Sequence, residues 1–454
     1  MPTDRKEYSQ IIDYHSKGFA KLRSDWPRIV EEVNRHNRDG EFITFSSYEW
    51  HSLEYGDHNL YFPGEDAPLL EASDINGLHA ICEEFNAFVI PHHIGYPKGL
   101  RGVNWDVFSE THSPFVEIFS MHGCAESDSG PYPYLHDMGP RTTQSTAVGG
   151  LNAGHKFGFI GSTDNHAGYP GHYGGGRAAV YADELTRESL WEAFQKRRVY
   201  AVTGDRILVK LWVNDGFMGE VFADSTSPRE IEVDILASDR IDYVEVVKNG
   251  KRLQRGADVE ARRLSPDASG VVRAKLRIEW GWGDKHRPIQ WRGDFQLADG
   301  RIIDVEPCFR GASSLSPEEL ERLGDDLPWN RIASREERGV IWESITLGNP
   351  SLLDPSTNAL VFEIEAPLNT PVELRINGKT LSTSVRKLLE GSVVSPMRGW
   401  LSESVCIHRA VLQEEYCFHW VFQDIPEAVT DYYYIRVAQK NGNWAWSSPI
   451  WVSR

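Results

Sequence analysis

The chain has 454 residues, of which 66 are acidic and 48 basic, for a formal net charge of −18 at pH 7. That length leaves room for two or three domains rather than one small module, and the acidic balance argues against collecting nucleic acid or an anionic membrane by long-range charge. Five cysteines without a CxxC spacing suggest neither a disulfide framework nor a cysteine-rich zinc module. With no apolar signal core and no membrane-length apolar run, the sequence as written reads as cytoplasmic.

In chain order, Trp26, Ile29, Val30 and Val33 recur at helical spacing and meet a stop at Asn37 to Gly40, followed by a strand-like Phe42-Ile43-Thr44-Phe45. Ser73 or Asp74 is placed to cap a helix carrying Ile75, Leu78, Ile81, Cys82 and Phe85, and Phe88-Val89-Ile90 then reads as a strand. Phe115 to Phe119 and Phe157 to Ile160 are further buried-strand candidates, and Thr186 can cap a helix with Leu190, Trp191 and Phe194. The alternation predicts an α/β fold. A boundary is expected near Arg206, dividing the chain into domains 1–205 and 206–454. Beyond it, Asn249-Gly250, Asn377-Gly378 and Asn441-Gly442 mark hairpins of a β-sandwich. The pattern breaks near 311–342, where Ser316-Pro317-Glu318-Glu319 reads as the capped start of a helix in an inserted segment.

Each strand candidate of the first domain ends in metal-ligand residue types: Glu49 and His51, then His92 and His93, then His122, then Asp164 and His166. Strand ends of a β/α barrel converge on one face, and imidazoles with carboxylates form hydrolytic metal sites that keep a position open for water. Taken one at a time, a histidine is more often a satisfied structural group than a ligand; four clusters in chain order change that balance. His51, His58 and His93 also fit positions that support the ligands, and Cys124 fits a small buried residue better than a thiolate. Gly174-Gly175-Gly176 with Arg177, and Lys98 with Arg101, are weaker candidates for contact with an anion. The Trp444 to Trp451 segment fits a sandwich core better than a sugar platform.

Ser47-Tyr48-Glu49-Trp50, Val89-Ile90-Pro91-His92-His93, Val116 to Gly123 and Gly161-Ser162-Thr163-Asp164-Asn165-His166 resemble the PHP (polymerase and histidinol phosphatase) superfamily, most closely its domain-of-unknown-function family 3604. The likeness continues through Tyr200 to Ile207 and Trp446 to Trp451. It implies a distorted seven-stranded β/α barrel, one to three zinc, manganese or iron ions, and hydrolysis of a small anionic phosphoester by metal-bound hydroxide. Carried over by position, Glu49 is expected as the bridging carboxylate, His92 (in preference to His93, because it comes first after the strand) and His122 as further ligands, and Asp164 and His166 as the closing pair. For a hydrolase with these ligands, His51 or His93 is the first candidate for proton donor to the leaving group.

The family's opening His-x-His pair has no counterpart before Glu49, so the resemblance implies an incomplete (β/α)7 barrel lacking its first strands, followed by the β-sandwich. Glu49, His92 and His122 are then expected to complete one metal position. An oligomer or partner chain is expected to cover the open barrel edge. The competing expectation is a degenerate, non-catalytic metal-binding or scaffold protein with a β-sandwich for contacts.

Overall fold

The computed structural model describes residues 5–132, 141–166, 169, 171–256, 269–281, 288–310, 330–346, 356–400 and 402–454, the side chains of 5–18 apart. The chain opens on α1 (Arg5–His36). Its Leu22, Trp26, Ile29 and Val30 pack against Leu60, Phe62 and the buried face of α2 (Ile75–Phe85). Helix α2 is set by its caps: the Asp74 side chain accepts from Gly77 N, and Asn86, at φ 50°, ends the helix with its N–H on Cys82 O.

Three short strands, β1 (Ser47–Trp50), β2 (His58–Tyr61) and β3 (Phe88–Pro91), form an antiparallel sheet in that order. Strand β4 (Phe115–Ser120) pairs with the short β5 (Gly123–Cys124) and, in parallel, with β6 (Gly158–Gly161). The crossover between β4 and β6 carries α3 (Ala147–Asn152). Strand β7 (Arg177–Val180), then α4 (Arg187–Gln195) capped by Thr186, then β8 (Val199–Val202) complete this half.

The expected α/β fold, an incomplete (β/α)7 barrel followed by one β-sandwich, is not what forms. The pairing among the described strands is mostly antiparallel, and no barrel closes among the described residues. The physical reason lies in the connections. Residues 51–57 between β1 and β2 are too few for a crossover helix, so β2 returns antiparallel. Only β4 with β6, and Val221–Ala223 with Ile450–Ser453, pair in parallel among the described strands. Nor is Phe42 to Phe45 a strand. Thr44 N and Oγ1 bond to Asn37 Oδ1 and Val33 O at the end of α1, which leaves that backbone no ladder to join.

After β8 the chain makes two face-to-face pairs of sheets rather than one. In the first pair, strands 208–213, 216–217, 229–236 and 417–424 cover an eight-stranded sheet that takes in β7, β8 and the closing hairpin, Trp444–Ser447 pairing directly with β8. In the second, a six-stranded and a five-stranded sheet bury Trp280, Trp291, Phe295, Trp342 and Phe362 between them. Asn249-Gly250 and Asn377-Gly378 turn their hairpins with positive φ at both residues, as the sequence predicts. Of the expected insertion, 311–329 lies outside the described residues, the Ser316 to Glu319 helix start with it; Arg331–Arg335 and Gly339–Thr346 are paired strands. No described helix is long and apolar enough to cross a membrane.

Candidate metal centre

Antiparallel pairing in the first sheet sets Trp50, His58 and Pro91 side by side. The ends of β1 and β3 therefore share an edge with the beginning of β2, and Glu49, Asp57, His92 and His93 meet there. Their ligand atoms all lie within 4.8 Å of one another. The ends of β4 and β6, parallel neighbours, bring His122 and Asp164 in from the other side, with His122 Nε2 2.8 Å from Asp164 Oδ2. His92 joins the two halves. Its Nε2 is 2.6 Å from Glu49 Oε1, and its Nδ1 is 4.0 Å from both Glu117 Oε2 and Asp164 Oδ2.

Whether an ion suits these residues can be tested on the distances. Atoms about 2.1 Å from a tetrahedral ion stand about 3.4 Å apart. His51 Nδ1 is 3.4 Å from Glu49 Oε1 and from Asp57 Oδ2, and His93 Nε2 is 3.4 Å from Asp57 Oδ2. The Glu49–His92 and His122–Asp164 contacts are shorter, at hydrogen-bond length. Two buried nitrogens, His92 Nδ1 and His93 Nδ1, have no hydrogen-bond partner among the described residues. A buried orphan of this kind costs about 1–3 kcal/mol, and a ligand bond relieves it. The nitrogen-and-carboxylate set fits a divalent ion of the zinc, manganese or iron type.

The local field points the same way. Burial alone would depress His92, but the hydrogen bond to Glu49 and the charges of Glu117 and Asp164 outweigh it and push the imidazole up to about 9. The negative potential that holds a proton there also attracts a metal cation. His93, desolvated and beside His92, is pulled down to about 2 and is neutral. Burial raises Glu117, which accepts from Ser162 Oγ and from His93 N. Asp57 is held well below the usual carboxylate range, because bonds from His51 and Arg101 overcome its burial. His51 is raised by its hydrogen bond to Asp57 and is half-exposed, which gives it a path to solvent protons. Two residues of the site, His93 at φ 35° and Asp164 at φ 48°, sit in the left-handed region, a strain found at sites held rigidly from outside.

Of the ligands expected from sequence, Glu49 and His92 fall in the four-residue group together with His93, expected as a proton donor. His122 and Asp164 form the adjoining pair. His166 is exposed, its ring 6.3 Å from that of His122. Asp57 and Glu117 were not anticipated. The first stands at the start of a strand rather than its end. The second had a signal, an acid in the middle of the apolar run Phe115 to Phe119.

His58 is buried on Gly56 O and lowered to about 4 by desolvation, and burial pushes the Cys124 thiol up to about 12. Arg177 bonds the Gly204 carbonyl, Lys98 pairs with Asp106, and Trp444, Trp446 and Trp451 lie in the core. Two other groups of ligand types occur among the described residues: Asp205, Glu306 and Cys308, buried, and Glu232, Asp234 and His419, near the surface.

Fold and site together define a β-rich protein carrying a histidine–carboxylate cluster where loops meet at the edge of a small sheet. Residues 171–232 match the family "Protein of unknown function (DUF3604)", a stretch that begins after His166 and holds none of the cluster. Relatives described only as uncharacterized proteins occur in Chlamydia muridarum, 24% identical over 262 residues, or 50% of this chain and 41% of the relative. One in Chlamydia trachomatis serovar D is 24% identical over 258 residues, 49% of this chain and 40% of the relative. The chain thus spans about 40% of the length of these curated relatives. No solved structure matches it.

Proposed function

We propose that this protein is a metal-dependent hydrolase acting on a small anionic phosphoester. The observation that carries the reading is the convergence of Glu49, His92, His93, His122 and Asp164 from separate strands, with two of their buried nitrogens, His92 Nδ1 and His93 Nδ1, lacking a hydrogen-bond partner among the described residues. The order of Glu49, His92, His122 and Asp164-x-His166 resembles that of PHP-superfamily hydrolases, and the phosphoester comes from that resemblance, which is one of residue order and not of fold. One to three ions of zinc, manganese or iron would be held by Glu49, His92, His122 and Asp164, with Asp57, His93 and His166 beside them. Such an ion supplies Lewis acidity and a water of lowered pKa near neutrality. Glu117 holds the backbone of His93 in place, and half-exposed His51 is the group best set to pass a proton to a leaving alkoxide.

A second reading, a non-catalytic metal-binding or scaffold protein, is favoured by the contacts that already close the cluster: Glu49 to His92, His122 to Asp164, and Arg101 to Asp57. Metal analysis of the purified protein, with hydrolysis of 4-nitrophenyl phosphate after loading with zinc or manganese, separates the two. The hydrolase reading expects bound metal, turnover, and loss of both in Glu49→Ala. Metal without turnover leaves the second reading, and no metal at all sinks the site.

A further inference from the structure

The loop after β3 carries one cation into the cluster, and its placement is built rather than incidental. Arg101 has φ 69°, an unusual conformation for a residue with a side chain. Its N–H is tied to Leu53 O at 3.0 Å. Gly102, next in the chain, passes so close to Tyr96 that a Cβ there would lie 1.7 Å from the Tyr96 carbonyl oxygen. The facing loop is as close: a Cβ on Gly56 would stand 3.1 Å from the backbone of Gly102 and Val103. These approaches fix the guanidinium on Asp57, whose carboxylate is fully buried. Nε and Nη2 of Arg101 both donate to Asp57 Oδ2, while Ser52 N donates to Oδ1 at 2.9 Å. Nη2 is also 4.0 Å from Glu49 Oε1.

One edge of the guanidinium is therefore consumed. The other, with Nη1, has no partner among the described residues, and the side chain is 18% exposed at the mouth of the cluster. A planar cation pinned along one edge and open along the other, beside carboxylates that would hold a metal ion, suits a tetrahedral oxyanion. Nearby Lys98 does not compete for that part, since its ammonium pairs with Asp106. We propose that Arg101 is the substrate-binding residue of this site, taking a phosphoryl oxygen on its open edge while Asp57 positions it; this rests on the hydrolase reading above.

The test is calorimetric binding of inorganic phosphate to the full chain, with and without added zinc, in wild type, Arg101→Lys and Arg101→Gln, alongside the metal content of each. Lysine keeps a charge on buried Asp57 and so keeps the fold, but it gives up the second edge of donors. Phosphate affinity is expected to fall at least tenfold in Arg101→Lys and further in Arg101→Gln, with metal content unchanged in both. A wild type that binds no phosphate, or an Arg101→Lys that binds it as wild type does, overturns the proposal. So does an extra ion in Arg101→Gln, since the guanidinium would then be standing in for a metal. Absence of metal from all three proteins sinks the hydrolase reading instead, and the metal-free phosphate titrations still report on Arg101.

Discussion

Two buried clusters of this protein use the same kinds of side chain and differ in how far they are satisfied. Around Asp205, the Tyr173 hydroxyl (2.7 Å) and Arg277 (3.0 Å) donate to one oxygen, and Gln439 (2.7 Å) and Asn441 (2.6 Å) donate to the other. Burial would raise that carboxyl, but Arg277 and these donors hold it below its ordinary range. Glu306 beside it, raised by burial and by Asp205, accepts from Arg206 N and Ser238, and burial drives the Cys308 thiol far up. Around His92, by contrast, two imidazole nitrogens have no partner among the described residues and three carboxylates surround one imidazole. Proximity of ligand types is common to both. Unspent coordinating atoms belong to the second alone, and they separate a site that can take an ion from a polar network that closes on itself.

The sharpest way to break the contrast is Asp205→Ala. It leaves Arg277 without its counter-charge and takes one acceptor from each of two amides, Gln439 and Asn441, for an expected loss of about 3–5 kcal/mol in urea unfolding. Glu49→Ala removes one acceptor from His92 at a partly exposed position, and a loss within about 1–3 kcal/mol is expected. Equal costs for the two variants would mean that the Asp205 network is no more committed to stability than the His92 cluster.

Added zinc should next raise the unfolding midpoint of the wild type, by an increment equivalent to about 2.7 kcal/mol at a hundredfold excess over the dissociation constant. Cys308→Ser should show the same increment and the same metal content, because its thiol belongs to the closed network. His92→Ala should show none. A zinc response lost in Cys308→Ser and kept in His92→Ala would reverse the assignment of the two clusters.

The smallest effect concerns the margin of the Asp205 network, where His408 and Glu279 line a largely polar cavity of about 660 Å³ together with Arg277 and Tyr173. Hydrogen bonds with the Cys406 side chain and with Glu279 raise His408 to about 9, from an ordinary 6.5. A folded-state pKa above the unfolded one adds stability that is complete below about 6.5 and disappears as pH rises through about 9. Glu279, lowered to about 2 by His408 and Thr357 against its burial, adds stability above its ordinary 4.5 that is lost as pH falls through about 2. The pair thus contributes fully between about pH 4.5 and 6.5, weakened by solvent screening, since both side chains are about a third exposed. Unfolding midpoints measured from pH 6 to 10 should decline less in His408→Ala than in the wild type. Parallel declines would show that the ion pair adds nothing.

Much of the local structure was legible in the sequence. Asp74 and Thr186 cap the helices that their spacing predicts, the Asn-Gly pairs turn hairpins, and Phe88, Phe115 and Phe157 announce buried segments. These depend on neighbours a few residues away. The architecture was less legible, because alternating helix and strand signals do not state strand direction. Seven residues between β1 and β2 reverse the chain where a parallel barrel needs a crossover, and β2 itself lacks the long apolar run that would have marked it.

The sequence by itself determined which residues have the chemistry to hold a metal ion, because imidazole and carboxylate are covalent properties of Glu49, His92, His122, Asp164 and their neighbours. Only the tertiary structure decided which of them meet. The antiparallel return of β2 brought Asp57 to the edge where β1 and β3 end, with Arg101 set on it, while His166, beyond β6, stays exposed. Which donors face one another is fixed by pairing direction and burial, and neither is written in the spacing of residues along a chain.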